Sequence, residues 1–281
     1  MLTYNTMKKQ FLAAGLCIGM ALVFPHCKSG LVTMSNSCYN MISTGQSQNA
    51  AGNYSAALDN FNTVLKKCDA YDAKEKAYAG KAAALNGLKQ YNDAMDAANA
   101  GLKVNKTSID NYFAKANAEL GLGMYADAKA DLNAIVDLTQ KNRNTAQRAT
   151  IYAKMAEIDT RQQMYNDALN NIQLAISTDP GNAHFYIQRG DINMAAGNIQ
   201  VAIGNYEEAI AKDGGNTTAW KAKTTATIKL FQKKYGTNDA GALGKKISAA
   251  DRQTLCGSIR ASQQKGVKDA AIDLVQLAVC K

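Results

Sequence analysis

One phrase recurs along the chain, and it restricts the fold to a stack of similar units. It is clearest as GNYSAALDNFNTVL at residues 52–65, and it returns as KQYNDAMDAANAGL (89–102), GMYADAKADLNAIV (123–136), QMYNDALNNIQLAI (163–176) and GNIQVAIGNYEEAI (197–210). Each copy opens on a small or polar residue and reaches an anchor, Tyr54, Tyr91, Tyr125, Tyr165 or Ile199, with spacings of 37, 34, 40 and 34. Three residues on stands Ala57, Ala94, Ala128, Ala168 or Ala202, and four further Phe61, Ala98, Leu132, Ile172 or Tyr206. Repetition at this period marks supersecondary units that cannot bury an apolar face alone and must stack to share one core.

A second ladder runs through the intervening segments: Tyr78, Tyr112, Tyr152, Tyr186 and Trp220, spaced 34, 40, 34 and 34. Three and four residues beyond the first four come Lys81-Ala82, Lys115-Ala116, Met155-Ala156 and Arg189-Gly190. Strand-like alternation is missing, and Pro180 is the one proline outside the first 27 residues, so little interrupts long helices. The chain is predicted all-α.

Together with Asp179-Pro180-Gly181-Asn182, these positions resemble the tetratricopeptide repeat, best in the copy with Tyr186, Gly190, Gly197, Ala202, Tyr206 and Ala209. The resemblance implies a right-handed superhelical array of about five helix hairpins over 38–216. Met41 and Gln48 stand where the first copy should carry packing residues. Trp220 opens a sixth helix of the first type, about 217–234, without a following phrase. A loop with Gly236, Gly241 and Gly244 and a hairpin at about 248–264 and 267–280 then make 217–281 a C-terminal helical cap. The spacing of 40 inserts six residues around 139–148, carrying Lys141, Arg143 and Arg148. That insertion is a longer loop or an extra turn on either helix, and it reads as a tolerated surface insertion or as a basic contact loop.

Residues 7–24, MKKQFLAAGLCIGMALVF, have two lysines before a short apolar stretch, the shape of a secretory signal. Cys27 directly behind it resembles the lipobox of bacterial lipoproteins, although His26 is larger than the small residue that family places there. The expectation is a signal peptide over 1–27, acylation of Cys27, a tether over 28–37, and a periplasm-facing, outer-membrane lipoprotein; ordinary signal-peptidase cleavage is the alternative. Cys17 leaves with the leader, so Cys38, Cys68, Cys256 and Cys280 remain. An even number in an exported chain points to disulfides. In an antiparallel hairpin, paired residues average to the turn: Cys38 and Cys68 centre on Gly52-Asn53, and Cys256 and Cys280 fall beside Gly266. Those two pairs are expected, with four unpaired buried cysteines as the alternative. A zinc site lacks both a CxxC and a histidine pair.

The net charge is +9, and two of those charges are Lys8 and Lys9 of the leader. The charges are scattered without a run of five, which reads as a solvated surface. Beyond the leader His184 is the one histidine, and no phosphate-binding glycine motif is present, so no enzyme, metal, cofactor or nucleic-acid role is expected. In the family the first helices line a concave groove for peptides or helices. Carried over residue by residue, that groove holds Phe113, Asn117, Leu120, Glu157, Ile187, Asp191 and Met194, with Gln46, Asn49, Ala79, Ala83 and Asn86 at its start. The lysine and asparagine clamp with which some members hold a chain end is missing, since Ile42, Gln46, Ala79 and Ala83 occupy its places. The expected role is a protein-interaction scaffold in a Gram-negative-type envelope, in outer-membrane assembly, secretion or pilus biogenesis. The rival is binding of an anionic polymer or lipid headgroups by the scattered basic residues.

Overall fold

Every copy of the phrase starts a helix at its anchor residue in the computed structural model, which describes residues 34–140 and 145–281. These second helices are α2 (Tyr54–Lys67), α4 (Tyr91–Val104), α6 (Tyr125–Thr139), α8 (Tyr165–Thr178) and α10 (Ile199–Lys212). The aromatic ladder lies on the first helices α3 (Tyr71–Gly87), α5 (Ile109–Gly121), α7 (Thr145–Arg161) and α9 (Ala183–Ala195), preceded by α1 (Asn36–Ala50). The chain continues through α11 (Thr217–Tyr235), α12 (Ala240–Lys246), α13 (Ala249–Gln264) and α14 (Ala270–Val279). The described residues are all-α, in paired hairpins in which each helix packs on its neighbours in sequence.

The opening letters of the phrase make the turn. Gly52, Lys89, Gly123, Gln163 and Gly197 all sit at positive φ, between 60° and 82°. The following amide reaches back five residues: Asn53, Gln90, Met124, Met164 and Asn198 donate to the carbonyls of Gln48, Leu85, Glu119, Asp159 and Asn193 at 2.8–2.9 Å. This closure satisfies carbonyls that the end of a helix leaves unpaired. Several first helices start on a side-chain cap instead, with Ser35, Ser108, Asn182 and Asn216 each accepting a backbone N–H of the first turn.

Small residues then let helices approach, between hairpins at Gly80 and within one at Gly190. A Cβ at Gly80 would run into the ring of Phe61, and one at Gly190 into Tyr206. Ala57, Phe61, Leu132, Ile172 and Tyr206 of the second helices are buried against the first helices. Two disulfides fasten the hairpins at the ends of the described chain. Cys38 of α1 bonds Cys68 just past α2, and Cys256 of α13 bonds Cys280 just past α14, with Cα–Cα separations of 6.1 and 5.6 Å.

Two local features differ from expectation, and a third settles the open choice at the insertion. Residues 240–246 are not loop but the helix α12, because the Asp239 carboxylate accepts the Ala242 amide at 2.6 Å and starts a turn. Helix α14 begins at Ala270, where Asp269 accepts the amides of Ala271 and Ile272. The wide spacings of 37 and 40 are absorbed partly by an extra N-terminal turn: Tyr78 and Tyr152 are the eighth residues of α3 and α7, whereas Tyr112 and Tyr186 are the fourth of α5 and α9. Arg148, on that extra turn of α7, donates to the Thr139 carbonyl at the end of α6 at 2.5 Å. Lys141 and Arg143 lie outside the described residues, as do the leader and Cys27. No helix among the described residues is long and apolar enough to cross a membrane.

Candidate partner-binding face

The first helices are tied to one another by carboxamides. Asn49 of α1 donates to the Gly80 carbonyl of α3 at 2.9 Å, Asn86 of α3 to the Ala114 carbonyl of α5 at 2.8 Å, and Gln188 of α9 to the Ala153 carbonyl of α7 at 2.7 Å. These bonds fix the spacing of neighbouring first helices and leave room between their exposed edges. A cavity of about 560 Å3 opens there across α1, α3 and α5, lined by Gln46, Asn49, Ala79, Asn86, Phe113 and Asn117 among others. Phe113 is half-buried, and Asn117 has no hydrogen-bond partner among the described residues. Asp110 lies at the same cavity, where burial, helped by nearby Glu75 and opposed by Lys76, raises its carboxyl above the usual range.

A second cavity, of about 760 Å3, lies between α9, α10, α11 and the turn from α13 to α14. Asp191 and Met194 line it from α9, Tyr206 from α10, Lys221 and Lys229 from α11, and Lys268 from the turn. The Tyr206 hydroxyl donates to the Asp191 carboxylate at 2.7 Å. Burial raises the Asp191 carboxyl despite that bond, and burial together with the neighbouring carboxylate raises the Tyr206 phenol.

The seven residues expected to line one groove therefore separate. Phe113 and Asn117 belong to the first cavity, and Asp191 and Met194 to the second. Glu157 lines neither. It is bridged by Lys154 at 2.8 Å and Arg161 at 2.7 Å, which outweigh the upward push of burial and hold its carboxyl low. Leu120 and Ile187 present little surface to a partner. They are 8% and 4% exposed and sit in the core with Leu132 of the same hairpin and with Ile172 of the preceding one, where burial of apolar surface is favourable. The lysines of the second cavity were not anticipated, although Thr217–Tyr235 holds five lysines and no acid, a local bias that whole-chain charge scatter conceals. Among the described residues no cluster of His, Cys, Asp and Glu has the makings of a metal site.

This geometry has relatives among solved structures. The chain is similar to pilF of Pseudomonas aeruginosa at 12% identity, covering 86% of this chain and 97% of that one, with a TM-score of 0.59. It is similar to a tetratricopeptide repeat protein of Parabacteroides merdae at 12% identity, covering 87% and 99%, with a TM-score of 0.54. TTC0263, a thermophilic tetratricopeptide protein of Thermus thermophilus, aligns at 15% identity over 67% and 98%, with a TM-score of 0.56. The fold is a tetratricopeptide-like helical repeat. At these identities the likeness carries the fold alone. No family model and no curated protein sequence matches the chain.

Proposed function

We propose that the chain is a non-catalytic scaffold that holds partner proteins on the face lined by its first helices. The observation that carries this reading is the cavity across α1, α3 and α5, where half-buried Phe113 lies beside the unpartnered carboxamide of Asn117. An aromatic ring offers a large apolar contact at low entropic cost, and a free amide offers a donor and an acceptor for the backbone of an extended peptide. Fold likeness to other tetratricopeptide-like structures agrees with a role in protein association.

The scaffold is proposed to work outside the cytoplasm, anchored by an acylated Cys27, within an envelope complex for outer-membrane assembly, secretion or pilus biogenesis. Two disulfides at the ends of the array support an oxidising compartment, where such bonds persist. Two acyl chains would hold the protein stably at a membrane, whereas one would be marginal. Affinity capture with Phe113→Ala plus Met194→Ala tests the binding face. The partner set of the parent should be lost or strongly reduced, and a variant that retains every partner contradicts the reading. Intact-mass measurement of membrane-extracted protein tests the anchor: a lipid adduct on an N-terminal Cys27 is expected, and an unmodified mature chain rules it out.

A further inference from the structure

We infer that the cavity between α9, α10, α11 and the α13–α14 turn binds an acidic peptide segment, gripped by a row of lysines on α11 and by Lys268 across from them. The inference rests on the reading that this face takes protein partners, and it adds the chemistry of what is taken.

Lys221, Thr225 and Lys229 recur every four residues along α11 and line the same cavity, and Lys233 follows one turn on, rotated about 120° from Lys221 toward the neighbouring depression. Lys221 to Lys229 spans about 12 Å, and Lys221 to Lys233 about 18 Å, at the rise of an α-helix. Lys221, Thr225 and Lys229 line the large cavity, while Lys229 and Lys233 line a depression of about 500 Å3 beside it at Gly236. The other lysines of α11 are engaged elsewhere: Lys223 with Glu207 at 2.9 Å and Lys234 with Asp251 at 2.6 Å. Lys221 reaches Asp269 at 2.7 Å. Lys229, Lys233 and Lys268 are exposed and have no ion-pair partner among the described residues. Asp191 is the one acid on the cavity wall, and Tyr206 already occupies its carboxylate. Met194, Ala222, Ala226 and Val267 supply apolar lining between the charges.

The spread of the cations selects the occupant. The unpaired cations Lys229 and Lys233 stand about 6 Å apart at the rise of an α-helix, with Lys268 on the same cavity. A single carboxylate meets only part of that set, whereas an extended segment advances about 3.3 Å per residue and sets several acids against it. The apolar lining suits aliphatic side chains between those acids. A flat plane of lipid headgroups would meet the lysine row but leave the hollow beneath it unfilled. Several exposed charge pairs acting together give a modest, salt-sensitive affinity.

Fluorescence anisotropy with the full chain tests this, using labelled (Glu-Leu)5 and (Gln-Leu)5 decapeptides, each as the free acid and as the C-terminal amide. The expected result is that (Glu-Leu)5 binds roughly tenfold tighter or more than (Gln-Leu)5, equally as acid or amide. Lys229→Gln, Lys233→Gln and Lys268→Gln combined should erase that preference, while Leu174→Ala at an exposed position of α8 leaves it. These lysines are exposed, so an unchanged melting curve verifies the fold of the triple variant. Equal binding of both decapeptides, weakened by Phe113→Ala and indifferent to the lysines, overturns the inference and leaves the partner face standing. Loss of binding on amidation assigns the site to a chain end and also overturns it. Failure of (Glu-Leu)5 to bind, with lysine-dependent sedimentation on phosphatidylglycerol vesicles, replaces the occupant with a lipid surface and overturns it too.

Discussion

Seven residues after each ladder position, and at half-buried Gln48 of the first unit, a side chain on the first helix faces one twelve residues later on the second helix. In three of the five units the two sides are joined directly and polar: Gln48 meets Asn60 at 2.5 Å, Asp159 meets Asn171 at 2.7 Å, and Asn193 meets Asn205 at 2.9 Å. Leu85 and Ala97 form the apolar member. In the third unit the pair is Glu119 and Asp131, bridged by Lys115 at 3.1 and 2.8 Å. Burial raises the Glu119 carboxyl to about 7; the Lys115 ammonium opposes this and the Asp131 charge adds to it. Its ordinary value is 4.5, so between about pH 4.5 and 7 the folded chain keeps a proton that the unfolded chain releases. Stability from this group therefore falls as pH rises through that window. Thermal melts should show Glu119→Gln flattening the decline between pH 5 and 7.5, by about 1–3 kcal/mol at one pKa unit per ~1.4 kcal/mol; an unchanged slope contradicts the assignment. Asp159 behaves oppositely to a replaceable pair member, because it also takes Lys129 of the preceding unit at 2.6 Å and is fully buried. Asp159→Ala strands both partners and should cost about 2–4 kcal/mol in urea unfolding. Lys89 and Gln163 hold turn positions that glycine fills in the other three copies. Lys89→Gly or Gln163→Gly should relieve left-handed strain and raise stability by about 0.5–1 kcal/mol.

At the scale of helices, the second type was legible because its phrase carries both the turn and the packing face in one continuous stretch. Gly197, Ala202 and Tyr206 state the left-handed cap, the close contact and the filler in order. The hairpin disulfides were legible for a related reason, since an antiparallel turn fixes which residues lie opposite. Helix α12 was not, because Ala240-Gly241-Ala242-Leu243-Gly244 reads as a flexible stretch. Packing of Leu243 into the cap core and of Gly244 against the Ala278 carbonyl overrides that propensity. The insertion was legible only as a choice between a longer loop and an extra turn; the structure has the turn, on α7, where Arg148 reaches the Thr139 carbonyl. Each disulfide closes a loop of moderate length, and Cys38→Ser with Cys68→Ser should lower stability by about 3 kcal/mol in denaturant titrations under oxidising conditions. Under reducing conditions parent and variant should coincide at that site.

For the whole molecule, a repeat array draws stability from nearest neighbours and offers one long face to partners. The resemblance implied one groove along the first helices; Phe113 and Asn117 line one cavity there, and Asp191 and Met194 another of different character. Ladder arithmetic places side chains around a helix; it does not say whether Leu120 or Ile187 turns inward, nor that the cap brings Lys268 opposite Lys229. The two ends differ in chemistry, aromatic and amide at Phe113 and Asn117, basic at Lys229 and Lys268. Partner capture on the first-helix face is the central claim, and site-specific photocrosslinking in the native cell tests it most directly. A photoreactive residue at Asn117 or Met194 is compared with one at exposed Leu138 or Leu174 of the second helices. The account predicts discrete protein adducts from Asn117 and Met194 and none of the same mass from Leu138 or Leu174. Adducts confined to Leu138 and Leu174 would place the partners on the opposite face and contradict it.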